Sequence, residues 1–245
     1  MCTVSWVPGP EGYTLCFNRD ERHTRAAALE PERREARSVA FLAPLDGDFG
    51  GTWFLVNEHG LTLCLLNRYQ VRDYVPPPQP TSRGVLLLSL APHRQASAAL
   101  AELGTRSLVA IQPFTIVAVQ PDEPPSLAAW DGRRLTLTRH PEPGLLLTSS
   151  AVTEPDVAAA RTALFAGAGP FTPEVLTELH RSHIPERGRR SVCMHRDDAE
   201  TQSFTRVTVD PLAITLVHIP DAPCRGTALP PFSLDRHRLP SPIQR

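Results

Sequence analysis

The residues best suited to chemistry in this chain are a cysteine directly behind the initiator methionine, Cys2, and a polar run after a short apolar strand, Asn18-Arg19-Asp20-Glu21. Removal of Met1, which a residue as small as cysteine permits, leaves Cys2 with a free α-amino group. That amine ordinarily titrates at about 7.7–8.0 and the thiol at about 8.5, so one residue carries both a nucleophile and its general base. Such a pair needs a carboxylate to orient the amine and to stabilise the ammonium after proton transfer; Asp20 is the candidate. A nearby arginine, Arg19, favours the thiolate by its charge. Acyl transfer also needs a donor for the oxyanion, and the amide of Asn67 is of the right type. The plain alternative is a strand cysteine followed by an ordinary polar loop, and position alone favours it.

Two β-hairpins must position these groups. Residues 2–7 and 12–18 flank the turn signal Pro8-Gly9-Pro10-Glu11-Gly12, and residues 52–57 and 61–67 flank Glu58-His59-Gly60. A first turn around Gly9–Glu11 makes paired residue numbers sum to about 20, so that Cys2 faces Asn18 and Val7 faces Tyr13. In the second hairpin Val56 faces Thr62, and Asn67 faces Gly51 of the Gly50-Gly51 pair. The missing side chains there let a backbone or a ligand approach closely.

The rest of the chain reads as strands, then helices, then strands. A helix or irregular structure is expected within 19–50, and a buried strand over 85–90 after the Pro-rich 75–80. A helix spans about 96–103 with Gly104 as its C-cap. Strands fall near 107–120, 126–131, 133–138 and 144–148, followed by a helix over 155–166. A further helix is capped by Thr172 with Pro173 at its first position and runs to about 183. Strands near 190–196, 202–209 and 213–218 complete an α+β domain of antiparallel sheets with segregated helices. That domain covers 1–219, and the proline-rich 220–245 is read as an extended or disordered tail.

Composition excludes several functions. All 25 basic residues are arginine, which removes Schiff-base, P-loop and serine–lysine chemistry. A net charge of −1 gives no electrostatic footprint for nucleic acid. No apolar run is long enough for a membrane span, and no signal peptide is evident. Five scattered cysteines do not form a disulfide framework, so a cytoplasmic protein is expected.

Met1-Cys2, Asn18-Arg19-Asp20-Glu21, Gly50-Gly51-Thr52-Trp53, Asn57-x-x-Gly60 and Asn67 together resemble the NRDE family, also called the transport and Golgi organisation protein 2 family. The cysteine start, the Asn-x-Asp pattern and Val56-Asn57-Glu58-His59-Gly60-Leu61 also resemble choloylglycine hydrolases and penicillin V acylases. These are N-terminal nucleophile (Ntn) hydrolases. The resemblance implies a four-layer αββα sandwich with Cys2 as nucleophile. It further implies Asn18, Gly50, Gly51 and Trp53 as supporting residues. Arg190, in Gly188-Arg189-Arg190-Ser191, matches an arginine that faces the nucleophile from a late strand. Ser149 is the nearest match to a second oxyanion asparagine. Phe17 stands where choloylglycine hydrolases carry an arginine.

The remaining cysteines, Cys16, Cys64, Cys193 and Cys224, read as structural, and no pair has zinc-like Cys-x-x-Cys spacing. His180-x-x-His183 reads as a helix end whose protonated histidine complements the dipole. Cys193 and His195 share a strand face and read as core; no metal and no cofactor are expected. Trp53 reads as core and Trp6 as a pocket mouth. The functional expectation is a cysteine Ntn-type amidohydrolase or acyltransferase acting on a small amide or acyl compound. The alternative is a non-catalytic protein that uses the same pocket to bind or carry heme or a lipid.

Overall fold

Alternating side chains give the first hairpin two distinct faces. β1 (Thr3–Gly9) and β2 (Gly12–Arg22) point Val4, Trp6, Leu15 and Phe17 one way and Val7 and Cys16 the other. A computed structural model of the chain describes all residues except 1, 69–70, 72–73, 122, 141–144, 149–154 and 239–245. Its further strands are β3 (Leu29–Ala36), β4 (Val39–Leu45), β5 (Phe54–Asn57), β6 (Thr62–Asn67), β7 (Phe114–Val119), β8 (Ser126–Trp130) and β9 (Leu135–Arg139). They continue with β10 (Leu145–Thr148), β11 (Ala199–Val209), β12 (Ala213–Ile219) and β13 (Phe232–Asp235). The helices are α1 (Arg83–Leu88), α2 (Ala96–Thr105), α3 (Pro155–Gly167) and α4 (Pro173–Arg181).

Among the described residues the strands form two antiparallel sheets, ordered β10-β1-β2-β11-β12-β13 and β3-β4-β5-β6-β7-β8-β9. Phe17, Phe54, Val56, Val117 and Val207 fill the space between them. Leu87, Leu100 and Leu103 of α1 and α2 cover the outer face of the second sheet, against Leu63 and Ile116. Leu176 of α4 covers the first, against Val7, Cys16 and Phe204. The result is the expected αββα sandwich. Each sheet buries both faces, which explains the near-continuous apolar runs of β4 and β5.

Three expectations about elements are corrected. Residues 19–50 hold strands rather than a helix: β2 runs on to Arg22, and β3 and β4 pair as a hairpin. The glutamates and arginines of β3 suit an edge strand, where charge discourages pairing with another chain. The apolar run after Ser82 is helix α1, because the Ser82 hydroxyl accepts the Val85 amide and caps it. A short apolar run does not by itself distinguish the two states. Residues 188–193 are bends, not a strand. The cap of α4 is as expected, with Thr172 Oγ1 accepting from Val175 N and Pro173 opening the helix. Part of the proline-rich tail joins the first sheet as β13, paired with β12.

The first hairpin is shifted by one residue from the expected register. It turns on Pro10 and Glu11 alone, Gly9 pairs with Gly12, and the ladder runs to Thr3 opposite Asn18. Side chains alternate along a strand, so Cys2 shares a face with Arg19 rather than Asn18. In the second hairpin Val56 pairs with Thr62 as expected, but β5 begins only at Phe54, so Gly51 lies outside the ladder.

Candidate active site

The residue before β1, the far half of β2, the end of β6, the Gly51–Trp53 segment and the start of α1 converge on a cavity of about 990 Å³. Cys2, Arg19, Asp20, Gly51, Trp53 and Asn67 all line it. Cys2 is partly exposed, whereas Cys16, Cys64 and Cys193 are buried. Burial pushes the Cys2 thiol above its ordinary range; the positive chain terminus opposes this and Asp20 adds to it. Burial pushes Cys16 and Cys193 up to about 12 and Cys64 well above its ordinary value. The cysteine that lines the cavity is Cys2.

Asp20 sits on the opposite face of β2, buried against the helix layer. Its Oδ1 accepts a 2.6 Å hydrogen bond from Thr201 Oγ1, and its Oδ2 lies 3.6 Å from Arg161 Nη2. Burial raises its pKa, and the chain terminus, Arg161 and Thr201 pull it back. Arg161 is fully buried on α3, one turn after the buried Val157, and also donates to Thr3 Oγ1 at 2.6 Å. It thereby links the residue beside Cys2 to the carboxylate. Sequence reasoning missed this arginine. Its only trace is a charge placed four residues after Val157, on the helix face that meets the sheet.

The two arginines singled out in the sequence differ in their placement. Arg19 stacks 4.3 Å from the centre of the Trp53 ring and pairs with Asp46 at 3.2 Å and Glu21 at 3.5 Å. These contacts hold Arg19 in the wall of the cavity that Cys2 also lines. Its Nη1 is buried and has no hydrogen-bond partner among the described residues. Arg190 lies on a bend, half-buried, in a two-pronged pair with Glu186 at 2.9 and 3.0 Å. It is not among the residues lining the cavity. Arg190→Ala is expected to leave the rate of Cys2 alkylation within about twofold of wild type, as for surface pairs generally; stopped-flow labelling checks it.

Asn18 is not a cavity residue. Its amide donates to the carbonyls of His180 and Val192, each at 2.9 Å, and its Oδ1 meets His180 Nδ1 at 2.9 Å. It clamps β2 to the end of α4. Asn57 likewise ties the second hairpin turn, accepting from His59 N and Leu61 N while Gly60 takes a φ of 73°. Gly51 permits a backbone approach: a Cβ there would lie 2.6 Å from the Gly84 carbonyl carbon, and Thr52 N donates to Gly84 O. Gly50, at φ 63°, sets the turn before it. Trp53 belongs to both the core and the cavity wall, whereas Trp6 packs into the core alone. Ser149 lies outside the described residues.

His180 corrects the helix-dipole reading. It is fully buried between Ser5 Oγ at 2.8 Å and Asn18, and burial, reinforced by Arg161, pushes its pKa down to about 3. His218, bonded to Thr205 Oγ1, is pushed down by burial to about 4. A histidine depressed below its unfolded value of about 6.5 binds fewer protons when folded. Its contribution is therefore present above that value and lost as pH falls through it. Between pH 7 and pH 5 each is expected to cost about 2 kcal/mol of stability. Urea unfolding at the two pH values checks this, and His218→Gln should remove about half of the histidine part.

A sequence model of the family Transport and Golgi organisation 2 matches residues 1–162. The chain belongs to this family. No curated protein is a significant sequence match to it. Among solved structures, it is similar to the Caenorhabditis elegans N-acylethanolamine-hydrolyzing acid amidase ortholog. That likeness has a TM-score of 0.60 and 10% identity, over 84% of this chain and 92% of that one. It is also similar to a mutant conjugated bile acid hydrolase from Clostridium perfringens, with a TM-score of 0.56 and 11% identity over 100% of both chains. A second variant of that hydrolase gives a TM-score of 0.57 at 11% identity. At such identities the likeness establishes the fold, an α+β sandwich of the Ntn-hydrolase type. Among the described residues no helix is long and apolar enough to cross a membrane.

Proposed function

We propose that this member of the Transport and Golgi organisation 2 family is a cysteine Ntn-type amidohydrolase that cleaves a non-peptide C–N bond in a small acyl amide. The observation that carries the reading is the convergence of Cys2, Asp20 and Asn67 on one cavity. Once Met1 is removed, the Cys2 amine takes the thiol proton, and Sγ attacks the acyl carbon. Asn67 donates to the oxyanion. The tetrahedral intermediate collapses as the amine passes its proton to the leaving nitrogen, giving a thioester and a free amine. Water, deprotonated by the same amine, then releases the acid and restores the thiol. Asp20, held by Thr201 and Arg161, orients the ammonium. Trp53, Leu65 and Phe49 give the cavity apolar surface for an acyl group, beside the Arg19 guanidinium.

The test is turnover of a panel of N-acyl amides and thioesters by wild type and Cys2→Ala, beside a heme titration of both. Amide cleavage lost in Cys2→Ala supports the reading. Tight heme binding without cleavage of any acyl compound replaces it with a carrier role.

A further inference from the structure

We propose that His183, Cys193, His195 and Cys224 form a structural zinc site beside, but separate from, the cavity. Their four ligand atoms lie within 4.8 Å of one another. His183 Nε2 is 3.3 Å from His195 Nε2, and the sulfurs of Cys193 and Cys224 are 3.6 and 3.5 Å from the same nitrogen. Zinc binds imidazole nitrogen at about 2.0–2.1 Å and thiolate sulfur at about 2.3 Å in a tetrahedron. Those lengths require N···N edges of about 3.3 Å and N···S edges of about 3.6 Å. The three separations from His195 Nε2 match these edges, although the four residues come from three separate stretches of chain.

The surroundings fit a metal better than a chance cluster. The ring nitrogen of His195 that faces away from the cluster, Nδ1, lies 3.3 Å from Glu200 Oε2. Glu200 is in turn held by both Nη atoms of Arg225, at 2.7 and 2.8 Å. A carboxylate on the far nitrogen fixes the tautomer that presents Nε2 to a metal and raises its basicity. Two thiolates balance the charge of a divalent ion, and the sulfur–imidazole set suits zinc over magnesium or calcium. Sequence spacing concealed the site. Cys193 and His195 are two apart, but the other ligands follow α4 and β12 rather than a second short motif.

The position suggests what the ion does. Met194, between two ligands, donates its amide to Thr201 Oγ1 at 2.9 Å and accepts from Thr201 N, also at 2.9 Å. The Thr201 hydroxyl donates to Asp20, and Met194 lines the cavity. An ion that fixes the 188–195 bend against α4 and β12 therefore also fixes the support of Asp20. Its role is to position, not to react.

Metal analysis of the full-length protein, purified under reducing conditions, tests the proposal. About one zinc per chain is expected, falling below about a tenth in His183→Ala/Cys224→Ser. Refolding with cobalt(II) should give the intense visible and sulfur-to-metal charge-transfer bands of a tetrahedral thiolate site, absent from the double variant. Should the double variant misfold, the single Cys224→Ser, which keeps three ligands, must still show weakened zinc retention against a chelator. Zinc retained unchanged by these variants, no zinc uptake by the reduced wild type, or a Cys193–Cys224 disulfide in its place overturns the proposal.

Discussion

Asn67→Ala is expected to slow single-turnover acylation by roughly 100- to 1,000-fold on any amide the wild type cleaves, the usual effect of losing one oxyanion donor. Asn67 closes β6, opposite Phe114 of β7, and lines the cavity with Cys2. Leu66 beside it is anchored in the intersheet core and Leu65 in the core under α1, so the strand is held on both faces without the Asn67 side chain. The loss should fall on acylation while alkylation of the Cys2 thiol, which builds no oxyanion, proceeds at nearly the wild-type rate. Rapid-quench acylation and iodoacetamide labelling of the same two proteins separate the effects. Equal losses in both would mean that Asn67 shapes the site rather than stabilising the intermediate.

Arg161→Met is expected to destabilise the fold by about 3 kcal/mol, because it removes a buried cation that, together with the chain terminus, compensates the buried Asp20 carboxylate. The guanidinium lies 3.6 Å from Asp20 and is wholly shielded from solvent. The pH dependence carries the signature. Burial already raises the Asp20 pKa, and Arg161 is one of the groups that holds it down. Without the arginine the carboxyl binds its proton more readily in the folded state. The deficit should therefore be largest near pH 8 and shrink as pH falls and Asp20 becomes neutral. Asp20→Asn/Arg161→Met should recover much of the loss, since the two residues are directly coupled. Denaturant unfolding of the two single variants and the double variant measures that coupling. An additive double variant would contradict the pairing.

Motif and fold class were readable in the sequence because they rest on short-range features. Turn residues and alternation mark the two hairpins, and Thr172-Pro173 marks the start of α4. What escaped depends on contacts between distant segments. A one-residue difference in turn length moved Cys2 to the face of Arg19, and nothing local distinguishes a two-residue turn on Pro10-Glu11 from a three-residue one. Arg161 and Asp20 are 141 positions apart, and an arginine in a helix is ordinarily read as a solvated surface residue. Arg190 has the opposite history. Its motif placed it beside the nucleophile, yet Glu186, four residues earlier, holds it at the surface. The asparagines divide in the same way: Asn18 and Asn57 tie the frame, and Asn67 faces the cavity.

The central claim, that Cys2 acts as an N-terminal nucleophile, is tested most directly by intact-mass and peptide analysis of protein from its native host after limited treatment with an acylating electrophile. The account predicts a chain that begins at Cys2 and carries one acyl group on that residue. It also predicts no adduct in Cys2→Ala under the same dose. A chain that retains Met1 throughout, or an acyl group carried instead by Cys16, Cys64, Cys193 or Cys224, would contradict it.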